Sequence, residues 1–223
     1  SKAMSKCLIV GAAPSSHKAL DYVLKTFSFD AIIAADGGYA ALVERGIEPS
    51  AVLGDFDSLG YVPSHPHITQ FDTHKDFTDL DLALQYAFDE GFDEVVVCDA
   101  FVGRLDHTLG NLQLLIKYAN KGQCIWGTTE EEVVVPLVAP GVFSALSFTE
   151  GAYGTLSVIS HSNKAYGVTE TGLEYGIEDA LCFNHILWGV SNELIGKPAR
   201  VSLTEGSLWV LFPLKEVMRF AYC

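Results

Sequence analysis

Basic side chains are scarce in this chain: its 223 residues hold 14 lysines and arginines against 28 aspartates and glutamates, a formal net charge of -14. Such a charge repels polyphosphate backbones, and no basic stripe with interleaved aromatics offsets it, so nucleic acid is not an expected partner. Long hydrophobic runs are also missing. No stretch approaches the roughly 18 to 20 uninterrupted apolar residues that a membrane-spanning helix needs, and the N-terminus lacks the basic-then-apolar order of a secretory signal. We therefore expect a cytoplasmic protein that does not engage membranes. Cysteine is thinly spread: Cys7, Cys98, Cys124, Cys182 and Cys223 show none of the close pairing of a zinc site or redox motif, and reduced, mostly buried thiols are expected.

What is present is an ordinary globular composition, 49% hydrophobic and 19% charged, long enough for one large domain or two small ones. Through about residue 125, short β-branched runs alternate with segments of helical periodicity. Lys6 to Val10, Ala31 to Ala35 (AIIAA) and Glu94 to Cys98 (EVVVC) read as strands, while Tyr39 to Arg45, Asp79 to Glu90 and Leu105 to Asn120 read as helices. This is the pattern of an α/β unit with a mostly parallel sheet. From about residue 128 the texture changes to VVVPLV, TLSVIS and SLWVLF, broken by Gly, Ser, Thr, Asn and Pro turns, which predicts an all-β sandwich or barrel. The expected organisation is an N-terminal α/β domain over residues 1–127 and a C-terminal all-β domain over residues 128–223.

An acidic protein that handles a nucleotide needs metal ions between the two sets of negative charge, so clustered aspartates carry the most information. Gly54-Asp55-Phe56-Asp57-Ser58 follows the apolar Ala51-Val52-Leu53, which places it at the carboxyl end of a strand, where open α/β sheets bind ligands. Residues two apart in an extended segment face one side, so Asp55 and Asp57 can offer oxygens to one hard cation such as magnesium. Alone, such a pair is more often an Asp-rich turn bonded to its own backbone. Three further aspartates change the balance: Asp36 in AADGG after a strand, Asp79 in KDFTD and Asp106 in GRLDH, both before helices. Each has a local alternative, a cap by Asp76 or Thr78 for Asp79, the helix macrodipole for Asp106, a plain turn for Gly37 and Gly38.

Lys75, Arg104 and His107 stand beside these acids in a chain otherwise poor in cations, and phosphoryl transfer needs such groups to neutralise charge on the moving phosphate. After the first strand, Gly11-Ala12-Ala13-Pro14-Ser15-Ser16 would let backbone amides approach a phosphate, although it matches neither the P-loop nor the dinucleotide fingerprint.

Taken in order, ADGGYAALVERGIEPSAVLGDFDS, KDFTDLDLAL and GRLDHTLGNLQLL resemble the catalytic domain of thiamin pyrophosphokinases. The later GTLSVIS, YGVTETGLEY and WGVSNEL resemble the β-sandwich through which that family binds thiamin, so the likeness spans most of the chain. It implies transfer of pyrophosphate from Mg-ATP to the thiamin hydroxyl, in a homodimer whose active site lies between subunits. Carried over by residue, it makes Asp55, Asp57 and Asp79 the main magnesium ligands, with Asp106 near the metal. Gly11, Asp36, Gly37, Gly38, Lys75, Arg104 and His107 would surround ATP. Tyr175 and Trp188 would stack on thiamin, and Ser191 and Asn192 would bond its pyrimidine. The chain departs from the family in Asp99-Ala100-Phe101-Val102-Gly103-Arg104, where a more glycine-rich approach is usual, and in GAAP, where a second glycine is common.

Overall fold

In the computed structural model the described residues are 4–54, 60–62, 64–70 and 77–222. They form two compact units, one of Ser1–Leu114 with Gly127–Glu130, the other of Leu115–Trp126 with Glu131–Cys223. Among the described residues no helix is long and apolar enough to cross a membrane.

The first unit is built on five parallel strands, β1 (Lys6–Val10), β2 (Ala31–Ala35), β3 (Ala51–Gly54), β4 (Ile68–Gln70) and β5 (Glu94–Cys98), in the order β5-β1-β2-β3-β4. Strands β1, β2 and β5 have the limits expected from sequence, and their near-continuous apolar character is what a sheet covered on both faces requires. Because all run the same way, Val10, Ala35, Gly54 and Cys98 end on one edge. The chain leaves β1 toward β2, away from β5, so the order reverses at β1 and opens a crevice between the loops after β1 and β5.

Four helices accompany these strands: α1 (Lys18–Thr26), α2 (Gly38–Glu44), α3 (Asp79–Asp89) and α4 (Leu105–Asn120), whose last turns belong to the second unit. Helix α3 begins where Thr78 Oγ1 accepts the Asp81 N–H at 3.2 Å, and it buries Leu80, Ala83, Leu84 and Ala87 at helical spacing. Helix α1 was not anticipated: its buried stripe is only Ala19, Leu20 and Val23, too short to stand out of a polar context.

The second unit contains β6 (Cys124–Thr128, its last two residues in the first unit), β7 (Glu132–Ala139), β8 (Ala145–Phe148), β9 (Tyr153–Ser160), β10 (Lys164–Thr171), β11 (Ile177–Phe183), β12 (Asn192–Ile195), β13 (Ala199–Ser202), β14 (Gly206–Pro213) and β15 (Phe220–Tyr222). One antiparallel layer runs β12-β9-β14-β7 and the other β11-β10-β13-β8-β15. Phe148 of the second layer meets Phe212 of the first edge-on, ring centroids 4.8 Å apart, and Phe220 lies 5.2 Å from Phe212, so aromatic packing fills the space between the layers. The all-β expectation resolves as a sandwich. Cys7, Cys98 and Cys124 are buried free thiols and Cys182 is partly buried, while Cys223 lies outside the described residues. Burial pushes the thiols of Cys7 and Cys98 up to about 12, which leaves them protonated and unreactive at neutral pH.

Candidate active site

The carboxyl edge of the parallel sheet gathers the acids. Asp36 follows β2 in left-handed backbone (φ 49°), buried, with its N–H donating to Leu53 O at 2.8 Å. Gly54 ends β3 at φ 150°, a conformation essentially restricted to glycine. A Cβ at Gly54 would fall 3.1 Å from Asp79 Oδ2 and 3.2 Å from both Cα and Cβ of Asp36. Two acids far apart in sequence therefore converge on the residue that immediately precedes Asp55.

A cleft of about 510 Å³ opens at this edge, lined among others by Gly11 to Pro14, Asp36, Asp79, Asp81, Asp99, Arg104, Asp106, His107 and Asn111. Arg104 and Asp106 form a two-point pair at its mouth, Nε to Oδ1 at 3.1 Å and Nη2 to Oδ2 at 2.7 Å, and Asp106 Oδ1 also accepts the His107 N–H at 2.9 Å. The Arg104 bond, then the His107 N–H, hold the Asp106 carboxyl below its ordinary value, and the same pair raises the guanidinium. Both side chains are about two-thirds exposed, so the pair serves to aim a guanidinium and a carboxylate rather than to stabilise the fold.

The cleft thus brings together Gly11, Asp36, Asp79, Arg104, Asp106 and His107. Asp55, Asp57 and Lys75, also expected here, lie outside the described residues. Gly37 and Gly38 open α2, and a Cβ at Gly38 would fall 2.1 Å from Val10 O, so glycine is needed there for the helix to start against the end of β1.

In the second unit Tyr175 and Asn192 meet, while Ser191 bonds elsewhere. The Asn192 amide accepts the Tyr175 N–H at 3.0 Å and donates to Tyr175 O at 2.7 Å, and Ser191 N–H donates to Ser157 Oγ at 3.0 Å. The Asn192 side chain therefore holds the Tyr175 turn. The Tyr175 ring stays exposed, and Trp188, in the turn between β11 and β12, is about half exposed.

Comparison with known proteins decides which chemistry this edge belongs to. Residues 24–126 match the thiamin pyrophosphokinase catalytic domain, and residues 146–208 match the thiamin pyrophosphokinase vitamin B1 binding domain. The thiamine pyrophosphokinase of Bacillus subtilis is 31% identical over 186 residues, which cover 79% of this chain and 84% of that protein. This chain belongs to the thiamin pyrophosphokinase family. The crystal structure of the Bacillus subtilis enzyme superposes with a TM-score of 0.80 at 27% identity, covering 93% of this chain and 98% of that one. Thiamin pyrophosphokinase from Candida albicans, at 15% identity, shares the fold with a TM-score of 0.74.

The catalytic-domain match takes in Asp36 to His107 and the B1-binding match takes in Tyr175 to Asn192. Three polar residues of the cleft are not picked out by the sequence motifs. Asp81 lies two residues after Asp79 and is buried; Asp99 follows β5; Asn111 Nδ2 donates to Ala100 O at 2.6 Å. Asp99 had a readable signal: like Asp36 it is the first residue past an apolar strand, and both adopt left-handed backbone, at φ 57° and 49°. Among the described residues no three His, Cys, Asp or Glu side chains gather closely enough to hold a metal ion. The donor chemistry still suits a hard cation, since Asp79 Oδ2 reaches the residue from which Asp55 and Asp57 continue.

Proposed function

We propose that this chain transfers the pyrophosphoryl group of Mg-ATP to the hydroxyl of thiamin, giving thiamin diphosphate and AMP. The observation that carries this reading is the convergence of Asp36 and Asp79 on Gly54, at the edge of a cleft that also holds Arg104 and Asp106. Magnesium held by Asp55, Asp57 and Asp79, with Asp106 nearby, would neutralise phosphate charge and orient the triphosphate.

The thiamin hydroxyl oxygen bonds to the β-phosphorus, the bond from that phosphorus to the α,β-bridging oxygen breaks, and AMP departs with that oxygen. Arg104, aimed by Asp106, and Lys75 stabilise the charge that develops. The hydroxyl proton passes to Asp106 or Asp79, although a loose transition state asks little of a base. Gly11, Asp36, Gly37, Gly38 and His107 contact the nucleotide. Tyr175 and Trp188 present exposed aromatic faces to the cationic ring system of thiamin, with Ser191 and Asn192 beside them. A homodimer completes the site from two subunits; exposed Leu105 and Leu109 on α4 and the apolar turn Ile186, Leu187, Trp188 and Val190 supply surface for a second copy to bury. The reaction takes place in the cytoplasm.

Purified protein incubated with ATP, magnesium and thiamin tests this reading. AMP and thiamin diphosphate in equal amounts, dependent on both thiamin and metal, are expected. AMP released without thiamin would replace the reading with a nucleotide hydrolase.

A further inference from the structure

The loop after β1 and the loop after β5 are joined across the switch point of the sheet. Cys98 O accepts the Gly11 N–H at 2.8 Å and Asp99 O accepts the Ala13 N–H at 2.9 Å. A cluster of side chains adds to this backbone pairing. The Asp99 carboxylate, only 3% exposed, accepts the Ser15 hydroxyl at 2.7 Å through Oδ1 and meets His17 Nδ1 at 2.6 Å through Oδ2. Ser15 Oγ in turn accepts the His17 N–H at 2.9 Å.

The proton order excludes a nucleophile and base arrangement. A carboxylate only accepts, so Nδ1 of His17 carries its proton toward Asp99, and the single Ser15 proton goes to Asp99 as well. Ser15 is not activated; it is tied down.

Asp99 and His17 both adopt left-handed backbone, at φ 57° and 63°, where glycine is the ordinary solution. Two non-glycine residues held in that region and bonded to each other over-determine the local path of the chain. The loop they fix matters because Gly11, Ala12, Ala13 and Pro14 line the cleft together with Asp99. Close contacts leave it little slack: a Cβ at Gly11 would fall 2.6 Å from Asp99 O, and one at Gly103 would fall 3.1 Å from Pro14 Cδ.

We propose that Asp99 is a positioning residue for the nucleotide: by clamping Ser15 and His17 it holds the Gly11–Pro14 loop, which lines the cleft, in the shape that ATP meets. This rests on the reading of the cleft as the ATP site. Exchange of His17 for glycine keeps the left-handed backbone without strain and removes only the imidazole, while Asp99→Asn tolerates that backbone and removes the charge.

Affinity for ATP, measured calorimetrically with magnesium and no thiamin, is compared in the wild type, His17→Gly, Asp99→Asn and the double variant, alongside KM for thiamin and the melting temperature. Each single change is expected to weaken ATP about fivefold to tenfold, and the double change no further than the stronger single one, because one clamp is being opened twice. KM for thiamin stays at its wild-type value. Additive losses, wild-type ATP affinity in His17→Gly, or equal loss of both substrates would overturn the proposal. Failure of the wild type to bind ATP would instead overturn the reading of the cleft, and the proposal with it.

Discussion

Asp36 Cβ and Asp79 Oδ2 meet at one point, the position a Cβ would take on Gly54, at 3.2 and 3.1 Å. A Cβ there would be tight against both, so a neighbour must give by a few tenths of an ångström, and the φ of 150° is costly for any residue but glycine. Gly54→Ala should strain the backbone by ~1–3 kcal/mol and push the Asp79 carboxylate aside. Misplacement by about 1 Å at a catalytic site costs about 100-fold, so this smaller shift should lower turnover by about 10-fold. Steady-state kinetics beside a thermal melt checks it: a folded protein with low kcat is expected.

Arg104 is the exposed cation of the cleft that the structure places, and its fork is aimed by Asp106. Arg104→Ala should lower kcat by about 100- to 1,000-fold, the usual effect of removing one charge-stabilising donor, with melting unchanged. It also removes the main cause that holds the Asp106 carboxyl low, so the acidic limb of the kcat profile should move to higher pH. Arg104→Lys should recover only part of the rate, because an ammonium cannot reproduce the two-point contact.

How much of this was legible in the sequence divides by type of interaction. Strands β1, β2 and β5 were readable to the residue because burial on both faces leaves them uniformly apolar. Asp36, Asp79 and Asp106 were readable as strand-end and helix-start acids that one rim would collect. The Ser15, His17 and Asp99 cluster was not, because it depends on parallel pairing of β1 and β5, more than 80 residues apart, and on two left-handed residues that carry no glycine to announce them. Asn192 was legible, through the family resemblance, only as a group to bond the thiamin pyrimidine; that its amide is engaged by the Tyr175 backbone is a matter of turn geometry.

The Phe101-Val102 departure from a glycine-rich approach also has a physical explanation. Phe101 turns inward, buried, and its ring takes the space beside Gly127, where a Cβ would fall 2.3 Å from Cε2, while Val102 lines the cleft. Phe101→Ala should therefore cost about 3–5 kcal/mol of stability, as deletion of a buried aromatic ring usually does. Denaturant unfolding should report that loss as a lower midpoint, with KM for ATP little changed.

Glu170 in β10 is buried beside Asn192, and desolvation raises its carboxyl from 4.5 to about 7, with the Asn192 amide bond opposing the shift. An acid whose folded value is raised binds a proton more tightly in the fold, so its contribution to stability is full below pH 4.5 and is lost as pH rises through about 7. The loss amounts to ~3 kcal/mol by pH 8. Glu170→Gln removes the titration, and unfolding measured from pH 4 to pH 8 should fall less steeply in that variant than in the wild type.

Pyrophosphoryl transfer is tested most directly by following the β-phosphorus. With ATP labelled at that atom, magnesium and thiamin, the label should appear in thiamin diphosphate, one equivalent for each AMP formed. Label in ADP would mean transfer of the terminal phosphate alone, and label in free pyrophosphate without a thiamin product would mean hydrolysis. Either result would contradict the assignment of the cleft.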